Sequence, residues 1–353
     1  MKIKNKFISL NKPTYFIADI AANHDGDLNR AKDLIYKVAE LGANAAKFQH
    51  FEAATIVSDI GFKNLKKIKT HQSKWKKSVY QVYRDASLDF SWTEELKKTA
   101  DNAGIDFFTS PYSIELVNKV DKYVSAFKVG SGDITWHEII LAMASKKKPL
   151  IIATGASSFK EINLVVNKLK KNNYNNFALL QCNTNYTGSL DNFNFINLNV
   201  LNLFKKKFPN IIYGLSDHTP GHSTVLGAIS LGARIIEKHF TDDNSRNGPD
   251  HLFSMNPLSW KEMISRSREL ESSMGKEIKK VEMNEKNSII VQRRSIRVNR
   301  NLKKGEIINQ QDLICLRPCP NYAIPPYEIK KVIGKKLNKN ILKGECLSWK
   351  ILK

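Results

Sequence analysis

A chain of 353 residues that is 42% hydrophobic can bury one large core and still supply a second, smaller domain. No apolar run approaches the ~20 residues of a membrane span, and the basic start, Met1 to Lys6, leads only into Phe7-Ile8-Ser9-Leu10, too short for a signal-peptide core, so a cytoplasmic protein without a membrane partner is expected. The 56 Lys and Arg against 34 Asp and Glu give a net charge of +22, yet they are spread along the whole chain rather than gathered in a stripe, which argues against a nucleic-acid partner.

From the N-terminus to about residue 270, short β-rich apolar runs alternate with longer helical patterns, the signature of repeated βα units. The predicted strands are Tyr15–Ile20, Asn44–Gln49, Asp106–Thr109, Ala126–Val129, Leu150–Ala153, Ala178–Cys182, Ile211–Leu215 and Arg234–Lys238. Helical spacing recurs over Leu28–Leu41, Trp92–Ala103, Phe159–Lys171, His222–Leu231 and Trp260–Met274, with Ser91 and Ser259 as expected N-caps and Gly42, Gly104, Gly232 and Gly275 as helix-ending positions. Eight such strands suit a closed (β/α)8 TIM barrel of the α/β class, residues 1–274. A charged linker, 275–290, follows. Residues 291–353, with two similar Lys-Gly-Glu turns at Lys304-Gly305-Glu306 and Lys343-Gly344-Glu345 and four prolines between them, read as a small domain without a long helix. Cys182, Cys315, Cys319 and Cys346 lack C-x-x-C pairs and are expected to be reduced thiols.

In a TIM barrel the active site lies at the C-terminal ends of the strands, and here nearly every strand ends in polar residues. In chain order these ends are Asp19 to Gly26, Lys47-Phe48-Gln49, Thr109-Ser110-Pro111-Tyr112, Lys128 to Asp133, Ala153-Thr154-Gly155, Gln181 to Tyr186, Ser216-Asp217-His218-Thr219 and Glu237 to Thr241. His218 and His239 end adjacent strands and can point at one spot, leaving positions for water and a substrate oxygen on a divalent Lewis acid such as Mn²⁺. His50, His71, His137 and His222 lack that pairing and read as structural. Lys47 and Lys128 would be costly to bury without an anion. An internal ion pair with Asp19 or Asp133 would meet that need, but the convergence of both lysines with Ser131, Ser216 and the amides of Gly130 and Gly155 reads better as a cradle for phosphate and carboxylate, to which Ser110 and Thr154 add donors.

At these residues the chain resembles the N-acetylneuraminate (sialic acid) synthase family, which includes legionaminic and pseudaminic acid synthases. The motifs are Asn23-His24-Asp25-Gly26, Lys47-Phe48-Gln49, Phe127-Lys128-Val129-Gly130-Ser131-Gly132, Gly214-Leu215-Ser216-Asp217-His218, Glu237-Lys238-His239-Phe240-Thr241 and Gly248-Pro249-Asp250, while residues from Val291, with Leu316-Arg317-Pro318, resemble its C-terminal antifreeze-like (SAF) domain. The resemblance implies phosphoenolpyruvate and a 2-acetamido sugar aldehyde such as N-acetylmannosamine as substrates. It implies manganese as cofactor, with magnesium or cobalt as substitutes, and a homodimer with swapped C-terminal domains. By position, His218 and His239 would hold the metal; Lys47, Lys128, Ser131 and Ser216 would hold phosphoenolpyruvate; Asp19 and Asp133 would orient water or move protons; Gln49, Tyr112, Tyr186 and Asp250 would meet the sugar; and Arg317 would reach a neighbouring site.

The chain departs from the family pattern in having Asp19 and Asp133 where glutamate is usual and Ala153 where serine is usual, which shortens each carboxylate's reach by one methylene. Two other readings are a synthase of shorter 3-deoxy-2-ulosonates and, from a different class, a basic nucleic-acid or polysaccharide-binding protein on an inactive barrel. An ice-binding role for the C-terminal domain is disfavoured by its basic, proline-interrupted sequence.

Overall fold

Eight parallel strands pair in chain order and close on themselves: β1 (Tyr15–Asp19), β2 (Ala45–His50), β3 (Asp106–Pro111), β4 (Phe127–Val129), β5 (Leu150–Ala153), β6 (Phe177–Cys182), β7 (Ile212–Asp217) and β8 (Ile235–His239), with β8 returning to β1. This computed structural model describes residues 1–65, 72 and 75–353, so His71 lies outside the described residues. The described chain divides into two units, Met1–Gly275 and Lys276–Lys353. Among the described residues no helix is long and apolar enough to cross a membrane.

Strand alternation sorts the barrel unit into two apolar layers. Tyr15, Ile17, Ala45, Phe108, Ala126, Ile151, Ala178, Leu180 and Ile235 form one buried cluster with Ile3 and Ile8 of the N-terminal segment. Their neighbours one residue along, including Phe16, Ala18, Ala46, Phe48, Phe107, Phe127, Ile152, Leu179, Leu215 and Ile236, pack instead with the helices. Continuing the inward series by two residues gives Asp19, Lys47, Ser110, Lys128, Ala153, Cys182, Ser216, Glu237 and His239, so the polar layer sits directly on the apolar filling. The barrel is tight: a Cβ on Gly214 would lie 2.0 Å from the Ile235 carbonyl oxygen, which only glycine avoids.

The helices around the strands are α1 (Leu28–Glu40), α2 (Ala53–Ile56), α3 (Asp59–Asn64), α4 (Val79–Ala86), α5 (Thr93–Asn102), α6 (Ile114–Val120), α7 (His137–Ser145), α8 (Phe159–Lys171), α9 (Val200–Lys207), α10 (Ser223–Ser230) and α11 (Pro257–Ser273). Local chemistry explains the best-defined ones. In α1 the Asp27 carboxylate accepts from the Asn29 and Arg30 amides, and Ala31, Leu34, Ile35 and Val38 make the buried stripe. In α8 a Ser158/Glu161 capping box precedes the stripe Ile162, Val165, Val166 and Leu169. Two expected caps are corrected. Asn256 caps α11, with Ser259 as its reciprocal partner. Ser91 sits inside a 3-10 turn, Phe90–Trp92, whose N-cap is Asp89. The chain also forms helices outside those expected, α2, α3, α4, α6, α7 and α9; α7, with Ile139, Ile140, Met143 and Ala144 buried, is too uniformly apolar to show a helical period.

In the second unit, β9 (Ser295–Val298) and β10 (Leu313–Leu316) pair antiparallel over a core that includes Ile296, Val298, Leu302, Ile308, Leu337, Ile341 and Leu347. The two Lys-Gly-Glu turns are built alike. Glu306 Oε1 accepts from the Lys303 amide at 2.9 Å and Glu345 Oε2 from the Leu342 amide at 2.8 Å, while Asn340 and Asn301 each accept from the other turn, from Lys304 and Lys343, at 2.8 Å. A helix, α12 (Lys286–Gln292), begins in the segment 275–290 expected as a linker and runs past its end, and α13 (Ile329–Val332) lies between the two turns in sequence.

Candidate active site

The polar layer opens into a cavity of about 390 Å³ at the C-terminal ends of the strands. Barrel closure does the assembling: the register sets Asp19 beside Lys47 on one side and beside His239 on the other, and Ser216 beside Glu237. Fourteen of the candidate residues line the cavity: Asp19, Lys47, Gln49, Ser110, Tyr112, Lys128, Gly130, Ser131, Asp133, Tyr186, Ser216, His218, His239 and Asp250. Thr154 and Gly155 do not. The Thr154 hydroxyl donates to the Leu180 carbonyl and the Gly155 amide donates to Ser131 Oγ, so both support the wall from behind. Arg317 is exposed in the second unit.

The floor is a compact charge network. Lys47 Nζ lies 2.6 Å from Asp19 Oδ2 and 3.8 Å from Glu237 Oε1, and Lys128 Nζ lies 3.7 Å from that same Glu237 oxygen. Asp133 is not the partner of either lysine. Burial lowers the affinity of Lys47 for its proton, but Asp19 and Glu237 outweigh this and hold the pKa above the ordinary lysine value. Lys128, which donates to the Val129 carbonyl at 2.8 Å, goes the other way: burial dominates and its pKa falls. A buried ammonium of this kind gains from an incoming anion. Asp19 Oδ2 also accepts from Gln49 Nε2 at 3.1 Å, and Ser216 Oγ donates to Glu237 Oε1 at 3.3 Å.

Above the floor, the His218 and His239 rings are 5.4 Å apart centre to centre. His218 Nδ1 pairs with the Asn183 carbonyl oxygen at 2.8 Å. Burial lowers the His218 pKa, but the Cys182 sulfur and the Asn183 carbonyl raise it more, whereas burial and the neighbouring positive charges push His239 well below the ordinary histidine value. His239 Nδ1, Asp19 Oδ1 and Glu237 Oε2 are buried without a hydrogen-bond partner among the described residues. Two imidazoles beside such orphaned atoms fit a divalent cation whose other positions come from water or substrate. Among the described residues no group of three or more His, Cys, Asp and Glu side chains is arranged to hold an ion unaided.

Two carboxyls sit at the rim. Burial lifts Asp133 to about 6 against the pull of Lys128, and it lifts Asp250 to about 6 even though Asp250 Oδ2 accepts from the Ala22 amide at 3.2 Å. Tyr186 packs on His218 with ring centres 4.3 Å apart, and Phe253 packs on His239 at 4.9 Å. Sequence reasoning left Glu237, Cys182 and Phe253 unassigned. The first two were legible in the period-two pattern, since Glu237 must share a face with His239, but Phe253 reaches the site only through the folded course of its loop. One wall is largely apolar: Phe51, Ile56, Val82, Tyr83 and Ala86 line the cavity, with Trp75 and a Gln72 hydrogen-bonded to Tyr83 beside them.

This chain matches the model of the NeuB family over residues 34–279 and that of the SAF domain over residues 293–353. It is 35% identical over 342 residues to the N,N'-diacetyllegionaminic acid synthase of Legionella pneumophila, covering 95% of this chain and 93% of that protein. It is 30% identical to the human N-acetylneuraminate-9-phosphate synthase over 341 residues, 94% of this chain and 90% of that one. Among solved structures, the N-acetylneuraminic acid synthetase of Leptospira borgpetersenii superimposes with a TM-score of 0.70 at 27% identity, covering 82% of this chain and 94% of that chain.

Proposed function

The chain belongs to the NeuB family, and we propose that it condenses phosphoenolpyruvate with an open-chain 2-acetamido sugar to give a nonulosonic acid and phosphate. The observation that carries this reading is the pair of buried ammonium groups, Lys47 and Lys128, sharing Glu237 beneath a cavity rimmed by two histidines and two protonatable carboxyls. Lys128, short of a close carboxylate, clamps the anionic substrate, and Ser131, Ser216 and Ser110 supply further donors. A new bond joins C3 of phosphoenolpyruvate to the aldehyde carbon, the aldehyde oxygen takes up a proton, water adds at C2, and the C2–O bond to phosphate breaks. Asp19, held by Lys47 and Gln49, orients the water, and Asp133, with its pKa near 6, gives or takes the proton. A divalent cation held by His218 and His239, with manganese as the first choice, would polarise the aldehyde.

The apolar wall favours one kind of sugar. Val82, Tyr83 and Ala86 lie on one face of α4, a helix with no fully buried residue, and the Phe51 ring packs tilted against Tyr83 with ring centres 5.4 Å apart. Gln72 and the Tyr83 hydroxyl already pair with each other, so methyl and acylamino groups in place of hydroxyls would bury more apolar surface there. This supports a deoxy, diacetamido hexose over N-acetylmannosamine. A homodimer in which Arg317 serves the partner's site belongs to the same proposal and rests on the SAF resemblance. Incubation with phosphoenolpyruvate, Mn²⁺ and a panel of 2-acetamido hexoses, read by phosphate release and product mass, tests the whole reading. No phosphate release with any sugar would overturn it.

A further inference from the structure

The motif Asn23-His24-Asp25-Gly26 lies at the end of β1, but none of its side chains lines the cavity. It is engaged elsewhere. Asp25 Oδ1 lies 2.8 Å from His251 Nε2, and His251 Nδ1 lies 2.8 Å from Thr241 Oγ1. Carboxylate, imidazole and hydroxyl in a row resemble a charge-relay triad, but His251 and Thr241 are each 0% exposed, so no substrate reaches the hydroxyl and nucleophilic catalysis is excluded.

What the row does is fasten a loop. Residues 242–254 leave β8 and return beside it, with the Thr241 amide donating to the Met255 carbonyl and the Met255 amide to the His239 carbonyl, both at 2.9 Å. Between these ends the loop is tied to the β1–α1 turn. Arg30 grips Asp242 with two hydrogen bonds of 2.7 and 2.6 Å, and Arg246 Nε donates to Asp25 Oδ2 at 2.9 Å. Asn23 Nδ2 donates to the Phe240 carbonyl at 2.8 Å and to Ser254 Oγ at 2.9 Å, and Ser254 Oγ donates to the Asp250 carbonyl at 2.6 Å. The loop is shaped for the imidazole: a Cβ on Gly248 would come within 2.6 Å of His251 Cδ2. Asp25 itself takes a left-handed backbone conformation, φ 52°, a strain its contacts with the loop offset.

His251 is the neighbour of Asp250, which lines the cavity, and lies two residues from Phe253, which packs on the His218 and His239 rings. We propose that Asp25 and His251 are positioning residues: their contact latches the loop so that Asp250 meets the acceptor sugar and Phe253 backs the two histidine rings. The inference rests on the reading that the cavity takes such a sugar. Because the phosphoenolpyruvate clamp is built from strand residues and from Ser131 of the turn after β4, none of which the latch touches, loosening the latch separates the two substrates kinetically.

The test is steady-state phosphate release, varying the sugar at saturating phosphoenolpyruvate and the reverse, for wild type, Asp25→Ala and Asp25→Asn. Asp25→Ala is expected to raise the sugar KM by about tenfold or more while the phosphoenolpyruvate KM stays within about twofold, since small misplacements of positioning groups carry costs of this order. Asp25→Asn, whose amide oxygen still accepts from His251, is expected to recover most of the loss. Should Asp25→Ala fail to fold, Asp25→Gly removes the same carboxylate without the left-handed strain. Both KM values rising together, neither rising, or Asn being as impaired as Ala would overturn the latch. A wild type inactive with every sugar would overturn the underlying reading and the latch with it, an outcome distinct from latch failure in an active enzyme.

Discussion

Lys238 Nζ, buried on the outer face of β8, lies 2.6 Å from Asp217 Oδ2 on β7, and each residue immediately precedes one of the two cavity histidines. The pair is fully satisfied. Lys238 also donates to the Thr219 carbonyl at 2.6 Å and to the Gly221 carbonyl at 3.2 Å, and Asp217 accepts from the hydroxyls of Thr219 and Thr224. Breaking such a pair leaves one buried charge uncompensated, so Lys238→Met is expected to lower unfolding stability by about 3–5 kcal/mol, read by urea denaturation. The double variant Lys238→Met/Asp217→Leu should recover most of that loss. A double variant no more stable than the single one would show that the pair is not an isolated electrostatic unit.

Asp19 faces the opposite requirement, since its carboxylate is wanted for chemistry as well as for Lys47. Asp19→Asn keeps the shape and removes the charge, and it is expected to cut turnover by about 10²-fold while phosphoenolpyruvate still binds. Single-turnover phosphate release with a parallel binding titration separates the two. Wild-type turnover would remove Asp19 from any role with water or protons.

His50 gives a pH dependence of stability with a defined sign. It is buried between the hydroxyls of Thr109, 2.6 Å from Nδ1, and Thr93, 2.9 Å from Nε2, and burial followed by repulsion from His24 lowers its pKa from 6.5 to about 4. A histidine held neutral in the fold contributes stability that is complete above the unfolded pKa near 6.5 and is lost as pH falls towards 4. The stability advantage of wild type over His50→Gln should therefore shrink by about 3 kcal/mol between pH 7 and pH 4. Denaturation curves at four or five pH values measure it, and a constant difference would contradict the assignment.

For the cation, chelation should abolish phosphate release and Mn²⁺ should restore it. The double variant His218→Ala/His239→Ala should lose Mn²⁺ binding measured by calorimetry, independently of activity. Tight Mn²⁺ binding by that variant would move the site elsewhere.

The shared-site proposal predicts complementation. Co-expressed His239→Ala and Arg317→Ala chains, purified as a tagged mixed dimer, should regain activity above either parent, because one of the two sites then has both residues intact. A mixed dimer as inactive as its parents, or an active wild-type monomer, would remove Arg317 from a partner's site.

Much of this protein was legible in its sequence because strand alternation is a local property. Tyr15, Ile17 and Asp19 must share a face in any strand, and so must Ile235, Glu237 and His239, so a polar layer above an apolar filling follows from chain order alone once eight such strands are counted. The glycine-ended helices and the two Lys-Gly-Glu turns are local in the same sense. What only the tertiary structure decided was which charges meet. Closure of β8 onto β1 brings His239 beside Asp19, and the barrel's width makes Glu237, not Asp133, the carboxylate that lies between Lys47 and Lys128. The helix α4 carries local signals, a Ser78/Gln81 capping box and an amphipathic face, but that this face walls the cavity is decided by the fold. The link from Asp25 to His251 spans most of the chain, and no local pattern encodes it, because its two partners meet only after the barrel has closed.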